Sequence, residues 1–262
     1  MNRLQTAFAR GKAFIPFLTA GDPDLETTER LVLALAQEGA DLIELGIPFS
    51  DPVAEGPVIQ AADVRALSAG TTSDGIFALA RRLRAHTQVA LAFMTYANPV
   101  FAYGAERFLS NCAEAGVDAL IVPDLPFEER GELLPHCEAH GVALISLIAP
   151  TSRERIGAIA AQAQGFVYCV SSLGVTGVRS AITGDVAGMV AAVKAARDIP
   201  VAVGFGIATP EQAAAVARHA DGAIVGSAIV RLISEHGRDS EQPLRAYARA
   251  MRQAIDAAKE QA

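Results

Sequence analysis

The sequence predicts a closed barrel of eight parallel strands, each followed by a helix. Three observations lead there. Eight short apolar runs recur along the 262 residues. Longer amphipathic segments separate them. Glycine, proline and acidic residues collect just after the runs. Short runs that are apolar throughout are how strands buried on both faces read. Their alternation with helices implies a parallel sheet. Eight such units fill about 250 residues in a (β/α)8 barrel. An open doubly wound sheet is the rival reading, and the lack of GxGxxG after the first strand weighs against it.

The strand candidates run in order. "AFIPFLTA" begins at Ala13, "ADLIEL" at Ala40, "VALAFM" at Val89 and "VDALIV" at Val117. "GVALISLI" follows from Gly141, "GFVYCV" from Gly165, "IPVAVGF" from Ile199 and "DGAIVG" from Asp221. Between them, "DLETTERLVLALAQEG", "RFLSNCAEAG" and "RGELLPHCEAHG" each close on glycine, the expected residue past a helix end. "SRERIGAIAAQAQG" predicts a helix capped by Thr151 or Ser152, with Glu154 in the first turn. "TPEQAAAVARHA" predicts one capped by Thr209 with Pro210 at the first position. Helical segments also stand at the start, "NRLQTAFARG", and at the end, "PLRAYARAMRQAIDAAKEQA". No linker or composition break divides the chain, so residues 1–262 are expected to form one TIM-barrel domain with additional N-terminal and loop helices. The second and sixth units carry extra residues, after Glu44 and after Val170. In a barrel these are loops of the C-terminal face, where ligands bind.

Composition narrows the function. Hydrophobic residues make up 51% and charged residues 19%, enough for a large core and too apolar for disorder. The net charge is −7 and no basic run tracks a phosphate backbone, so nucleic acid is not an expected partner. The 3 cysteines, Cys112, Cys137 and Cys169, show no CxxC spacing and read as small buried residues of a reducing compartment. The first residues lack the apolar core of a signal peptide, and no run is long enough to span a membrane, so a cytoplasmic protein is expected.

Three glycine-containing turns follow the last three strand candidates: "SSLGVTG", "GFGIATPEQ" and "VGSAIV". Glycine lets backbone N–H groups approach an anion, and a helix N-terminus adds unpaired donors and partial positive charge. Loops after strands seven and eight of a barrel, with a short helix, form a recurring phosphate site. "GSAIVRLI" reads as that helix, with the Ser227 hydroxyl at its start. Tight βα turns with no ligand would use the same residues.

"ELGIPFSDPVAEGP" (Glu44 to Pro57) places one acid at the end of an apolar strand and two more, Asp51 and Glu55, on a proline-rich loop. A buried lone carboxylate costs several kcal/mol or takes up a proton. Burial can raise its pKa by about 3–5 units, which supplies an acid–base group near neutrality. A glutamate that merely holds a neighbouring loop is the alternative.

At these residues the chain resembles the tryptophan synthase alpha subunit family. "LIELGIPFSDPVAEGP" looks like its signature, and "FIPFLTAGDP", "MTYANPVF", "VPDLPFEE", "SSLGVTGVR", "VGFGIATPEQ" and "GAIVGSAIV" extend the likeness in order across nearly the whole chain. The resemblance implies a barrel lyase of tryptophan biosynthesis. It would cleave indole-3-glycerol phosphate by a retro-aldol step to indole and glyceraldehyde 3-phosphate. It implies no cofactor or metal in this chain and an alpha2-beta2 complex. The beta subunit of that complex carries pyridoxal phosphate and receives the indole.

The resemblance also assigns residues. Glu44 is implied as the proton carrier between indole C3 and the glycerol hydroxyl. Glu55 is implied as the group at the ring nitrogen, where the family usually has the shorter aspartate. Phe17, Tyr96, Ile121, Phe205 and Ile224 match indole-pocket positions; Ile121 and Ile224 read equally well as barrel core. Tyr168 would lie near the reacting glycerol carbons, and Thr176 on a mobile loop. Ser172 stands where the family often has an arginine. Gly177, Gly206, Gly226 and Ser227 match phosphate ligands, and Asp51 and Pro52 the face toward the beta subunit.

Other features point elsewhere weakly. His136 and His140, with Cys137 on one predicted helix, lack any HExxH pattern, so no metal site is expected. "RRLRAH" reads as a solvated basic patch. A different sugar-phosphate isomerase or aldolase would also use the glycine turns, but no strand carries the lysine of a Schiff-base aldolase. A subunit that chiefly activates its partner, and a lyase that acts alone, are the remaining alternatives.

Overall fold

The computed structural model describes residues 2–170, 186–204 and 206–259. Its strands are β1 (Ala13–Thr19), β2 (Leu42–Gly46), β3 (Ala90–Met94), β4 (Ala119–Ile121), β5 (Ala143–Leu144), β6 (Ser146–Ile148), β7 (Val167–Val170), β8 (Val201–Gly204) and β9 (Gly222–Val225). The order is β5-β4-β3-β2-β1-β9-β8-β7-β6, and the pairings are parallel. β5 and β6 are two halves of the fifth predicted strand, parted at Ile145. The first half pairs with β4 and the second with β7, so one strand closes the ring. The fold is a TIM barrel.

Parity along the strands sorts the side chains. Ala13, Ile15, Leu42, Ala90, Ala92, Ala119, Ile121, Phe166, Tyr168, Ala202 and Ile224 form one buried cluster inside the ring. Their neighbours in sequence, such as Phe14, Ile43, Leu91, Phe93, Leu120, Val167 and Val203, pack outward under the helices. Both faces are buried, which is why the runs read as continuously apolar. Glu44 falls on the inward parity of β2, between Leu42 and Gly46.

Helix α1 (Arg3–Ala9) plugs the N-terminal end of the lumen with Leu4, Ala7 and Phe8, and the Phe8 and Phe166 rings lie 5.3 Å apart. A capping box of Asn2 and Gln5 starts it. The ring helices are α2 (Leu25–Gln37), α3 (Pro57–Ser68), α4 (Ser73–Arg84), α5 (Ala97–Tyr103), α6 (Ala105–Glu114) and α7 (Leu134–Ala139). They continue with α8 (Ile156–Gln162), α9 (Val186–Ala196), α10 (Pro210–Ala217), α11 (Ser227–His236) and α12 (Glu241–Lys259). α10 begins as predicted, with Thr209 as N-cap, Gln212 completing a capping box and Pro210 in the first turn. α12 packs along α10 and α2 and ties to α2 through Arg245 and Arg249 on Glu38.

Three predictions need correction. The cap expected at Thr151 or Ser152 does not start an α-helix. Residues Pro150–Arg155 form a 3-10 turn, tightened by the Ala149 N–H donating to Ser152 Oγ at 3.2 Å, and α8 begins only at Ile156. "RGELLPHCEAHG" likewise begins in a 3-10 turn (Phe127–Glu132), and His140 is the cap of α7 rather than a member. Pro57 opens α3 instead of belonging to the loop before it.

The aspartates that bound strands in the sequence have a common job. Asp41, Asp118 and Asp221 each precede a strand and accept the backbone N–H of a neighbouring strand, from Phe14, Leu91 and Val201, at 2.9 Å. Each also holds a cation from outside the ring: Arg252 at 2.7 Å, Arg84 at 2.9 Å and Lys194 at 2.7 Å. The N-terminal face is thereby stitched to its helices, and polar chemistry there is spent on structure. The basic run at Arg81 divides accordingly. Arg81 and Arg82 are exposed and pair with Glu114 and Glu29, while Arg84 is sunk onto Asp118 and the Gly116 and Val89 carbonyls.

Candidate active site

The C-terminal mouth gathers most of the described residues singled out in the sequence. Phe17 on β1 pairs in register with Glu44 on β2. Ile121 ends β4, Tyr168 lies on β7 and Ile224 on β9, all facing inward. Tyr96 caps the start of α5. Phe205, Thr176 and Gly177 lie outside the described residues, as does Ser172.

Glu44 is fully buried and neither carboxylate oxygen has a hydrogen-bond partner among the described residues. An uncompensated buried charge is costly, so desolvation pushes its pKa up to about 8. At neutral pH the group is a carboxylic acid. Tyr168 lies within its field: burial first, then the Glu44 charge, hold the phenol protonated.

Two glycines make room for the rings. A Cβ on Gly46 would meet the Phe17 ring at 2.6 Å, and one on Gly204 would meet the Tyr168 hydroxyl at 2.5 Å. Real contacts of that kind do not occur, so both rings occupy notches cut into neighbouring strands.

The loop after β2 carries Pro48, Phe49, Asp51, Pro52 and Val53 before ending at Glu55. Phe49 packs on Tyr96 with centroids 5.5 Å apart, and Tyr96 Oη accepts the Ala54 N–H at 3.1 Å. The Gln60 amide donates to the Glu55 carbonyl at 2.8 Å, which fixes the loop end to α3. Glu55 itself is 6% exposed, beside the Tyr96 hydroxyl and the carboxyl of Asp63. Asp51 is exposed, takes a hydrogen bond from Ser50 at 2.6 Å, and neighbours Val53, which is 74% exposed.

Sequence reasoning missed Asp63. It sits on α3, 3% exposed, on the buried stripe Ile59, Ala62, Asp63 and Ala66. The signal was available: an acid on the apolar stripe of a helix that begins beside the acidic loop. It also missed Asp22, which receives a two-pronged bond from Arg65 at 2.8 and 2.7 Å and pins α3 to the end of β1.

On the β9 side of Phe17, Gly226 precedes α11, whose first residue is Ser227, and Gly206, after β8, adopts φ +79°. No side chain caps that helix end, and while the Ile229 N–H donates to the Gly226 carbonyl at 2.9 Å, a helix start of this kind is suited to an anion. His136 and His140 are both occupied by Glu106, at 2.8 Å each, on the outer surface. Among the described residues no cluster of three or more His, Cys, Asp or Glu is placed to hold a metal ion. None of their helices is long and apolar enough to cross a membrane.

A closed barrel whose mouth holds an uncharged acid on β2 and, two strands along the ring, an uncapped helix start after β9 defines a TIM-barrel acid–base enzyme. The family model for the tryptophan synthase alpha chain matches residues 4–259. The alpha chain of Lacticaseibacillus casei is 47% identical over 260 residues, 99% of this chain and 98% of that one. That of Lactiplantibacillus plantarum is 52% identical over 257 residues, 98% and 97% of the two chains. The solved alpha chain of Legionella pneumophila superposes with a TM-score of 0.88 at 39% identity, covering 98% of both chains. A chain of the tryptophan synthase a2b2 complex of Pyrococcus furiosus superposes at 0.86 with 37% identity, over 93% of this chain and 98% of that one. This chain belongs to the tryptophan synthase alpha chain family, and it is a lyase acting on indole-3-glycerol phosphate.

Proposed function

We propose that Glu44 and Glu55 divide the retro-aldol cleavage between them, and that one domain of residues 1–262 carries it. Glu44 in its acid form protonates indole C3, which makes the ring an indoleninium cation. The carboxylate so formed takes the proton of the hydroxyl on the adjoining side-chain carbon. The C–C bond then breaks, its electron pair returns to the ring, the carbinol becomes the aldehyde of glyceraldehyde 3-phosphate, and indole leaves. Protons balance, since Glu44 gives one and regains one. The observation that carries this reading is the complete burial of an unpartnered Glu44 carboxyl, neutral below about pH 8.

Glu55 offers its negative charge to the ring nitrogen. Phe17, Tyr96, Ile121, Ile224 and Phe205 form the indole pocket, with Tyr168 beside the glycerol carbons. Gly206, Gly226 and Ser227, with Gly177, take the phosphate through backbone donors and one hydroxyl; Thr176 bonds the carboxylate of the loop after β2 when the site closes. No step needs a cofactor in this chain, and pyridoxal phosphate belongs to the beta subunit. The partner is that beta subunit in an α2β2 assembly in the cytoplasm, a reading supported by the likeness to the P. furiosus a2b2 complex. Asp51 and Pro52, beside exposed Val53, face the partner.

The test is Glu44→Gln assayed by indole release. It should lower kcat by about 10²–10⁴ while leaving substrate affinity near that of the parent. Retention of most of the activity would remove Glu44 from the role.

A further inference from the structure

We propose that Glu55 and Asp63 act as one proton-sharing acid pair. In it, Asp63 is a positioning residue that holds the Glu55 carboxyl at the mouth and keeps the pair at a single negative charge. This rests on the reading of Glu55 as the group that meets the substrate, and adds a residue to it that nothing in the family likeness singled out.

The geometry is the argument. Glu55 lies just before the N-cap of α3, and Asp63 lies two turns into that helix, on its buried face. The two carboxyls meet. Each keeps one buried oxygen, Glu55 Oε2 and Asp63 Oδ2, with no hydrogen-bond partner among the described residues. Two adjacent carboxylates in a buried setting cannot both be charged. One proton shared between the two carboxyls leaves the pair a single charge and supplies a hydrogen bond where two carboxylates would repel.

The surroundings offer hydrogen-bond donors to the acids but no cation among the described residues. Thr19 at the end of β1 presents a hydroxyl, and the Phe49 backbone N–H comes from the loop. Tyr96 at the start of α5 presents its phenol, itself held protonated by burial and by the charges of Glu55, Asp63 and Asp124. From α3, the Gln60 amide is turned to the Glu55 carbonyl and the Arg65 guanidinium is locked onto Asp22. α11 brings the apolar Val230. Among the described residues no cation pairs with either acid. Burial raises both carboxyls above their ordinary range, and for Asp63 the Glu55 charge adds to it. The pair therefore titrates as a unit, with one proton held well above the usual carboxylate range.

The chemistry explains the use of such a pair. A cationic indole nitrogen calls for one negative charge. A pair that shares a proton presents that one charge and holds its direction through a hydrogen bond, where a lone glutamate on a loop would swing.

The test is infrared spectroscopy of the full chain near neutral pH, without substrate. The parent should show protonated-carboxyl absorption from Glu44 and from the pair. Asp63→Asn should lose the pair's component, because the single charge then settles on Glu55. Glu55→Gln should lose the same component, and it reads the same proton if Asp63→Asn does not fold. Their double variant should lose no more than either alone, whereas Glu44→Gln should remove a separate component. Additive losses for Asp63→Asn and Glu55→Gln, or no pair component in the parent, would overturn the proposal. As a second readout, Asp63→Asn should move the alkaline limb of the kcat/KM profile; an even loss at all pH values would reduce Asp63 to a packing role and also overturn it. The spectra involve no substrate, so a negative result there beside an inactive Glu44→Gln sinks the pair and leaves the lyase reading standing.

Discussion

At the scale of single residues, the site is expensive to keep. Glu44 has an ordinary pKa of 4.5 in the unfolded chain and about 8 in the folded one. Between those values the folded chain holds a proton that the unfolded chain has released. Stability due to this group therefore falls as pH rises through that window, by about 4 kcal/mol at the order-of-magnitude level. Glu44→Gln keeps the shape and removes the ionisation. Its melting temperature should lie close to the parent's near pH 5 and well above it near pH 8. An equal gap at both pH values would mean that the carboxyl finds compensation when it ionises. The same residue would then gain stability and lose catalysis on substitution, the usual trade at active sites.

At the scale of elements, the barrel strands were legible because burial on both faces leaves an unbroken apolar run. Each of the eight runs became a strand or, for the fifth, two halves. Glu44 stood out for the same reason: it is a charged residue on a strand with no solvent face. What stayed hidden depends on depth around the helices. Asp63 reads as an ordinary polar helix residue until α3 is seen to turn its 59, 62, 63, 66 stripe inward. The start of α8 was misplaced because a local bond between Ala149 and Ser152 favours a tighter turn, and that competition is invisible in a cap motif. The glycine notches were equally silent. A prediction belongs to β8: Gly204→Ala sets a methyl where the Tyr168 ring now lies. The ring must swing toward the reacting centre, and kcat/KM should fall by about 10²-fold. The secondary structure seen by circular dichroism should be unchanged. Normal kinetics would show that the ring has another resting place.

At the scale of the whole molecule, the two ends of the barrel divide labour. At the C-terminal mouth Glu44 has no partner and Glu55 and Asp63 have no cation among the described residues, whereas the N-terminal face pairs Asp41, Asp118 and Asp221 twice over. Asp118 accepts Leu91 N–H and meets both Arg84 and Arg3, at 2.9 and 2.8 Å. Asp118→Ala strands the half-buried Arg84 guanidinium without its anion. Stability should drop by about 3 kcal/mol in denaturant unfolding, the range for a broken buried pair. The kcat per folded molecule should hold, and a large kcat loss would mean that the ends are coupled.

The fifth strand supplies a mechanical property to the ring. Up to Ile145 it follows β4, with the Ile145 N–H still donating to the Leu120 carbonyl, and from Ser146 it follows β7. Past that point the pairings leave β4 and β6 unjoined, and a cavity lined by Val122, Leu125, Ile145 and Leu147 lies in the opening. A hoop laced all the way round resists any change in girth. One with a slit at its upper rim can widen or narrow there with every ladder bond intact, and among the described residues the opening between the fourth and fifth strands gives this barrel such a slit.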